Sequence, residues 1–526
     1  MTLVEPRPVT TDSAAPPRWA KVLDQTRCIG CHACTTACKS ENAVPVGVTR
    51  TYVKSVEVGR FPLVRRAFQV TRCNQCDDAP CVAACPTGAM LTRPDGIVDF
   101  DKSICIGCKA CMAACPYDAI FINPEDHSAE KCNFCAHRLE IGLEPACVTV
   151  CPTEAILVGD MNDPTSKVAQ IVQRQPVTVR RHEKGTRPAL FYKGAHQATL
   201  DPIAARRPDG GLYAWATQGD RSDRQLVPSG HPGTHTSSAA ALLSYDVPHR
   251  APWGWRVSLY TWTKGIAAGT LAVAVVLAYL GRLSFSGATV DLAAPSLALA
   301  FLAATGVLLI WDLKHPMRFW MIFTRHRWQS WLVRGSFVIG FYGAVVTAFL
   351  VVGILGQTGA IGSGATSTAE KFIGGVALSG AVGTACYTAF LFAQAKARDL
   401  WQSPLLPPHL AVQSALVGAA ALLPFAPGTR SAAALAIEVT VAVAAGLHVL
   451  LVVGELTVGH PTAHAHLAAE QMTRGRFAGF FWPGLVLVAA SVAAPWIGTA
   501  ATALALTGLV LHEHAYVQAG QSVPLA

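Results

Sequence analysis

Cys28-Ile29-Gly30-Cys31-His32-Ala33-Cys34-Thr35-Thr36-Ala37-Cys38 spaces four thiols as C-x2-C-x2-C-x3-C. Related spacings return three times: Cys73, Cys76, Cys81, Cys85-Pro86; Cys105, Cys108, Cys111, Cys115-Pro116; and Cys132, Cys135, Cys147, Cys151-Pro152. Sixteen of the 17 cysteines fall in these groups. Three thiolates on one tight loop grip three irons of a cubane, and a fourth, farther along, ligates the other cluster of a pair. The spacing predicts that the fourth Cys opens a helix with Pro in its first turn, where a missing N–H is harmless. Zinc sites also use C-x2-C, but they take two such pairs rather than a third and fourth Cys at three to five residues. A disulfide framework needs an export signal, and Met1 to Pro17 shows no apolar run and no twin arginine. Asp77-Asp78-Ala79-Pro80 lengthens the second group without removing a ligand, so four [4Fe–4S] clusters are the simplest count.

Working outward, the sequence changes character. Residues 1–250 hold nearly all the Cys and most of the charge; residues 257–526 are mostly Ala, Val, Leu and Gly. Mean hydropathy is +0.35 and charged residues make up 14%, as in membrane proteins. The formal charge of +9 lacks a basic stripe with interleaved aromatics, so no nucleic-acid partner is expected. The reading is an N-terminal α+β bacterial-ferredoxin-like multi-cluster domain over 1–194. A linker or partner-docking segment follows over 195–248. The rest, 249–526, is an all-α polytopic membrane bundle. Tyr52–Val58 and Ala67–Thr71 alternate as an inserted hairpin should.

Apolar windows recur at 256–280, 292–311, 332–356, 372–394, 409–427, 432–457, 478–496 and 498–515, giving about eight transmembrane helices with both ends on one side. On the Fe–S side the flanking cations are Arg250, Arg256, Lys314, Arg318, Arg325, Arg327, Arg334, Lys396, Arg398, Arg474 and Arg476. On the other side are Arg282, Lys371 and Arg430. Eleven against three predicts a bacterial cytoplasmic (inner) membrane protein whose Fe–S domain faces the cytoplasm.

The Cys ladder resembles the electron-transfer subunits of the dimethyl-sulfoxide-reductase class. The likeness extends through Cys151-Pro152-Thr153-Glu154-Ala155-Ile156, Gly159 to Pro164, Gly185-Thr186-Arg187-Pro188 and Tyr192. That resemblance implies cross-pairing. Cys28, Cys31 and Cys34 would share a cluster with Cys151, and Cys132, Cys135 and Cys147 with Cys38. Cys73, Cys76 and Cys81 would join Cys115, and Cys105, Cys108 and Cys111 would join Cys85. Trp311-Asp312-Leu313-Lys314-His315-Pro316-Met317-Arg318-Phe319-Trp320, Ser330-Trp331, Arg334-Gly335, Tyr387-Thr388, Leu400-Trp401 and Ala519 to Leu525 resemble the polysulfide-reductase (NrfD-type) membrane subunits. Ala389 and His512-Glu513-His514 depart from that pattern, standing where Gly and Arg are expected. Together the resemblances imply a separate molybdenum or tungsten bis-pterin catalytic subunit. Electrons would pass between it and menaquinone or ubiquinone, with a cytoplasmic donor such as sulfite or formate favoured.

Ionisable residues at membrane depth are costly and usually functional. Asp312 and His315 end the second span, where the resemblance places a quinone pocket; Tyr260, Lys264 and Tyr387 complete the candidate quinone-binding set. Glu438, His448 and Glu455 share the sixth span and are candidates for a proton path, as in alternative complex III relatives. The blander readings are a snorkelling Lys264, a structural Glu438–His448 pair, solvated His460, His464 and His466, and Cys386 as a small core residue. Trp253 and Trp255 suit an interfacial belt or a roof over the quinone site. A di-haem anchor needs facing His pairs, and His448 has no evident partner in the sequence. The sequence has no dinucleotide fingerprint and no nucleophile constellation, so no catalytic residue is assigned. Three hypotheses compete: an electron-transfer subunit, a proton-translocating module, and a structural anchor without quinone chemistry.

Overall fold

The computed structural model describes residues 16–60, 62–206, 241–428 and 431–526. The N-terminal half is held by a four-stranded sheet. Trp19–Asp24 pairs antiparallel with Ile156–Asp160 and parallel with Leu190–Lys193, which in turn pairs with Val177–Thr178. The sheet thus ties both ends of the cysteine ladder together. Between them lie two small hairpins, Met90–Thr92 with Val98–Phe100 and Ile120–Ile122 with Ala129–Lys131, each following a cysteine group. The expected inserted hairpin is present, longer than predicted, as Thr51–Arg60 paired with Leu63–Arg72.

One local expectation is corrected. No helix opens at any of the four fourth cysteines: Cys38 lies inside Ala33–Glu41, Cys151 follows the helical turn Ala146–Thr149, and those of the second and third groups close helices. Cys85 follows Pro80–Ala84 and Cys115 follows Ala110–Ala114, both in extended conformation. The following proline is the reason: its ring crowds the preceding residue out of the α region.

The described parts of the 195–248 segment are also not free linker. Gln197–Leu200 is a helical turn, and Ala241–Tyr245 adds a third strand antiparallel to Thr51–Arg60. The remainder, 207–240, lies outside the described residues.

Among the described residues, eight helices of more than twelve residues build the membrane half: α1 (Trp255–Tyr279), α2 (Ala294–Asp312), α3 (Trp331–Gln357), α4 (Ser363–Gln394), α5 (Leu406–Leu422), α6 (Ala432–Val458), α7 (Ala478–Ala490) and α8 (Ala500–Gly520). Among the described residues, seven segments are long and apolar enough to cross a bilayer, α2 from Thr289, α5 through Phe425 and α7 through Ile497. The other long helix, α8, carries His512, Glu513 and His514 in its 21 residues. The protein is an integral membrane protein. α1 is buried along most of its length and forms the axis, whereas α3 faces outward. Gly269 of α1 and Gly418 of α5 meet with no room for a Cβ on either, so the two backbones touch. Exposed Trp311, Trp320, Trp328 and Trp482 ring the Fe–S end; exposed Phe372, Phe425 and Trp496 mark the opposite end.

The two halves join by main-chain hydrogen bonds. Lys314 N donates to Gly107 O (3.3 Å), His315 N to Ile106 O (3.2 Å) and Arg327 N to Pro86 O (3.0 Å). Arg318 Nη1 donates to Cys105 O (2.9 Å), and Ser330 Oγ to Ala84 O (2.9 Å). Several of the cations counted for orientation therefore have structural partners as well, among them Arg318 here, Arg334, whose Nε donates to Trp328 O at 2.6 Å, and Arg398, whose Nη1 donates to Gln521 O at 3.1 Å.

Candidate functional site

All seventeen cysteines are free thiols. Their charge neighbours cross the four motifs, and neighbouring groups also touch: Cys34 faces Cys147 and Cys111 faces Cys81. Cys28 faces Cys31 and Cys151, and Cys34 faces Cys28. Cys38 faces Cys132, Cys135 and Cys147. Cys76 faces Cys73, Cys81 and Cys115. Cys105, Cys108 and Cys111 each face Cys85. The fourth thiol of each motif thus lies beside thiols of another: Cys151 by Cys28, Cys38 by Cys132, Cys115 by Cys76 and Cys85 by Cys105.

The surroundings fit an anionic iron–sulfur cluster. Buried thiols alone would not attract cations, yet Arg72 Nη1 lies 3.0 Å from Cys147 Sγ and Lys21 Nζ 4.0 Å from it. Both cations are fully buried, and Arg72 leaves Nε and Nη2 without a partner. Burial pushes the Cys147 thiol up, but Arg72 and Lys21 outweigh it and bring it to about 7. Backbone amides also aim at sulfur: Met90 N at Cys85 (3.3 Å), Ala129 N at Cys105 (3.4 Å) and Ala155 N at Cys151 (3.2 Å). Left-handed residues, Gly30 and His32 in one loop and Gly107 and Lys109 in another, bend the loops around the thiols. Cys85, Cys105, Cys108 and Cys111 border a free space of about 370 Å³.

A larger cavity, about 1000 Å³ of free space, opens directly beside Cys108. Tyr260 of α1, Gly306 and Asp312 of α2, Ser336 of α3 and Tyr387 of α4 line it, with Trp253 and Phe319 at its rim. Its walls are mostly apolar with a few polar groups, the usual character of a ligand site. Trp253 Nε1 donates to Cys108 O (3.2 Å), and its ring stacks near Phe392 and Trp401. Trp255 instead points outward, 50% exposed, against Trp311. The two tryptophans read together in the sequence thus part: one roofs the cavity and one joins the belt.

The candidate quinone residues are divided too. Tyr260, Asp312 and Tyr387 line the cavity. Lys264 sits behind it: Nζ donates to Ala385 O (2.7 Å) and Thr388 Oγ1 (3.0 Å) and lies 5.1 Å from the Tyr387 ring centre. It therefore turns inward to the bundle core, and the snorkelling reading does not apply. His315 is not in the lining; its ring faces His127 at 6.4 Å. Burial, then Arg318, holds the His315 imidazole below its usual range. Lys109, inside the cluster loop, was not picked out from the sequence; its Nζ pairs with Asp312 Oδ2 at 2.8 Å.

Glu438, His448 and Glu455 share α6 but stay apart, spread over 17 residues or about 25 Å of helix. Only His448 is fully buried. The expectation that it lacks a partner is corrected: His409 Nε2 lies 2.9 Å from its Nδ1, and the His512 ring is 4.7 Å away. Neither contact serves a haem, because nitrogens already touching leave no space for a macrocycle between them. His409 lies in the first turn of α5 directly after Pro407 and Pro408, and His512 lies in the second half of α8, so no spacing in the sequence joins them.

A family model described as a 4Fe-4S dicluster domain matches residues 64–161, and one described as polysulphide reductase, NrfD, matches 245–521. The N-terminal half is 45% identical over 193 residues to a subunit of tetrathionate reductase from Salmonella typhimurium, covering 36% of this protein and 77% of that one. It is 44% identical over 177 residues to protein NrfC of Escherichia coli, covering 33% and 79%. It is 43% identical over 177 residues to a component of polysulfide reductase from Wolinella succinogenes, covering 33% and 93%.

Proposed function

This protein belongs to the polysulphide reductase NrfD family, joined in one polypeptide to a 4Fe-4S dicluster domain, and from that premise we propose that it exchanges electrons between four [4Fe–4S] clusters and a quinone held beside Cys108. One observation carries the reading: the large apolar cavity shares Cys108 with the thiol set nearest the membrane. The clusters supply one-electron transfer when bound, each held by one of the four cross-motif thiol sets. Quinone reduction takes up two protons as well. Tyr260, Tyr387 and Asp312 present hydroxyls and a carboxylate to the cavity for that purpose, while the Lys109 ammonium fixes Asp312. Trp253 positions the Cys108 carbonyl and closes the cavity toward the Fe–S domain.

The remote end is the outlet to a partner. Cys31 is exposed and Cys28 half-buried. The named relatives include parts of reductases for tetrathionate and polysulfide. A separate molybdenum or tungsten bis-pterin subunit docks at this loop, and menaquinone or ubiquinone is the membrane reactant. The cation asymmetry puts the Fe–S domain in the cytoplasm of a bacterial cell; a reporter fused at Ala526 that is active only in the periplasm would overturn that side.

Gly306 offers the test. A Cβ there meets open space, so Gly306→Leu projects into the cavity without backbone strain. Quinone-linked turnover falls at least tenfold, about 1.4 kcal/mol or more, with iron content unchanged. Unchanged turnover would leave the anchor reading, clusters without quinone chemistry.

A second reading, proton translocation, is favoured by one observation. Buried Glu513 is a charge neighbour of Lys264, and it adjoins His512 in the group that also holds His448. Proton uptake by proteoliposomes that survives in both Glu513→Gln and Glu455→Gln removes it.

A further inference from the structure

We propose that His409, His448 and His512 form a binding site for a divalent transition-metal ion, Zn2+ foremost, inside the membrane bundle. The three side chains come from three different helices, α5, α6 and α8, and each is buried. Each offers a ring nitrogen, and those atoms lie within 4.8 Å of one another. The closest pair, His409 Nε2 and His448 Nδ1, is 2.9 Å apart. Zinc–nitrogen bonds of about 2.0–2.1 Å in a tetrahedral site put ligand nitrogens about 3.3 Å apart. One spacing lies just under that value and all lie within 4.8 Å, so small rotations of the rings complete the site.

Hydrogen bonding alone does not account for the trio. His512 Nδ1 is buried without a partner, and His448, whose Nδ1 faces His409, has no partner at its other ring nitrogen either. Stranded ring nitrogens of this kind are costly to bury. Imidazole suits Zn2+, Cu2+ and Ni2+, and three such ligands leave one open position. Aromatic walls fix the rings: Phe481 lies 5.8 Å from His512, and the Tyr516 ring is stacked 6.4 Å from it. A bare dication among neutral ligands is costly in an apolar bundle. Hydroxide at the open position lowers that charge. Glu513 follows His512 directly, and Glu455 lies two turns beyond His448 on α6.

The site is distinct from the cysteine sets in both place and ligand chemistry, and it stands whether or not the cavity takes quinone. The test uses the full-length protein, purified in detergent without a polyhistidine tag after growth with added zinc. Elemental analysis is expected to give about one zinc, or another divalent transition ion, per polypeptide, and the zinc K-edge spectrum to show a nitrogen shell with imidazole outer scattering. His448→Gln and His512→Gln each lower that content at least tenfold while iron is unchanged. Zinc far below one per polypeptide overturns the proposal. So does a sulfur shell, which would place the zinc at the cysteines, or content unaffected by both substitutions. If the variants fail to fold, the spectrum of the unaltered protein decides.

Discussion

Two loops of this protein have nearly the same sequence and backbone and opposite surroundings. Cys28-Ile29-Gly30-Cys31-His32-Ala33-Cys34 and Cys105-Ile106-Gly107-Cys108-Lys109-Ala110-Cys111 differ at one position in seven, His32 against Lys109. Both place that residue and the preceding Gly in the left-handed region. Yet Ile29 is 57% exposed and Ile106 is 1% exposed. Gly30 is covered by the ring of Phe68, Gly107 by the backbone and side chain of Lys314. His32 packs edge-on against Tyr245, whereas Lys109 pairs with Asp312 in the cavity wall. The loop sequence supplies three thiols in a fixed arrangement. What the loop touches decides whether it faces solvent or the membrane cavity.

The contrast is broken most strongly at the isoleucines. Ile106→Asp buries a carboxylate in the seam between the halves and is expected to cost about 4 kcal/mol. Ile29→Asp stays within about 0.5 kcal/mol, as a surface change should; thermal melts of the two purified variants compare them. If Ile29→Asp destabilises as much, the exposed loop is not an open face.

The glycines follow. Both positions penalise a Cβ through positive φ, by about 1–2 kcal/mol. At Gly107 the added atom also meets Lys314 Cα and N at 3.1 Å, and main chain cannot step aside. Gly107→Ala therefore uncouples quinone turnover from reduction at the remote loop. Gly30→Ala only displaces a ring and leaves the coupling intact. Stopped-flow reduction of the iron–sulfur absorbance by quinol separates them.

Lys109→Met leaves Asp312 unpaired in a partly buried wall, at about 1–3 kcal/mol, with slower quinone turnover. His32→Met at the matching position leaves turnover unchanged. Equal turnover in both would show that the pairing with Asp312 is only structural.

The smallest effect is on pH. His249 sits between Asp118 (2.5 Å) and Asp246 (3.2 Å), joining the Fe–S domain to the segment entering the membrane. Burial lowers this imidazole, but Asp246 and Asp118 outweigh it and raise it to about 10. Its stabilising contribution is full below the ordinary value of 6.5 and fades as pH rises through about 10. The melting temperature should fall over that window, and His249→Gln should flatten the fall.

Much of this was legible because it is local. Three thiols within seven residues define a loop wherever they occur, and a 27-residue apolar helix such as Trp331–Gln357 declares itself by length. At Pro86 and Pro116 two properties of proline compete. The missing N–H favours a helix start, but the restriction on the preceding residue ended helices there instead. The Lys109–Asp312 pair, the Trp253 bond to Cys108 and the histidine trio join residues from distant parts of the sequence, where no periodicity marks them. His409 in particular follows two prolines at a helix start, a place where solvated histidines are common.

At Ile106 and Gly107 the hydrogen bonds across the seam run between carbonyls and amides. Main-chain groups are the same for almost every residue type, so the hydrogen bonds themselves do not depend on which residues carry them, while the buried Ile106 and the close-packed Gly107 keep the two edges near enough to form them. The geometry would be kept if the two halves were separate polypeptides. Joining them covalently then changes how often they meet, through effective concentration, and leaves unchanged how they fit.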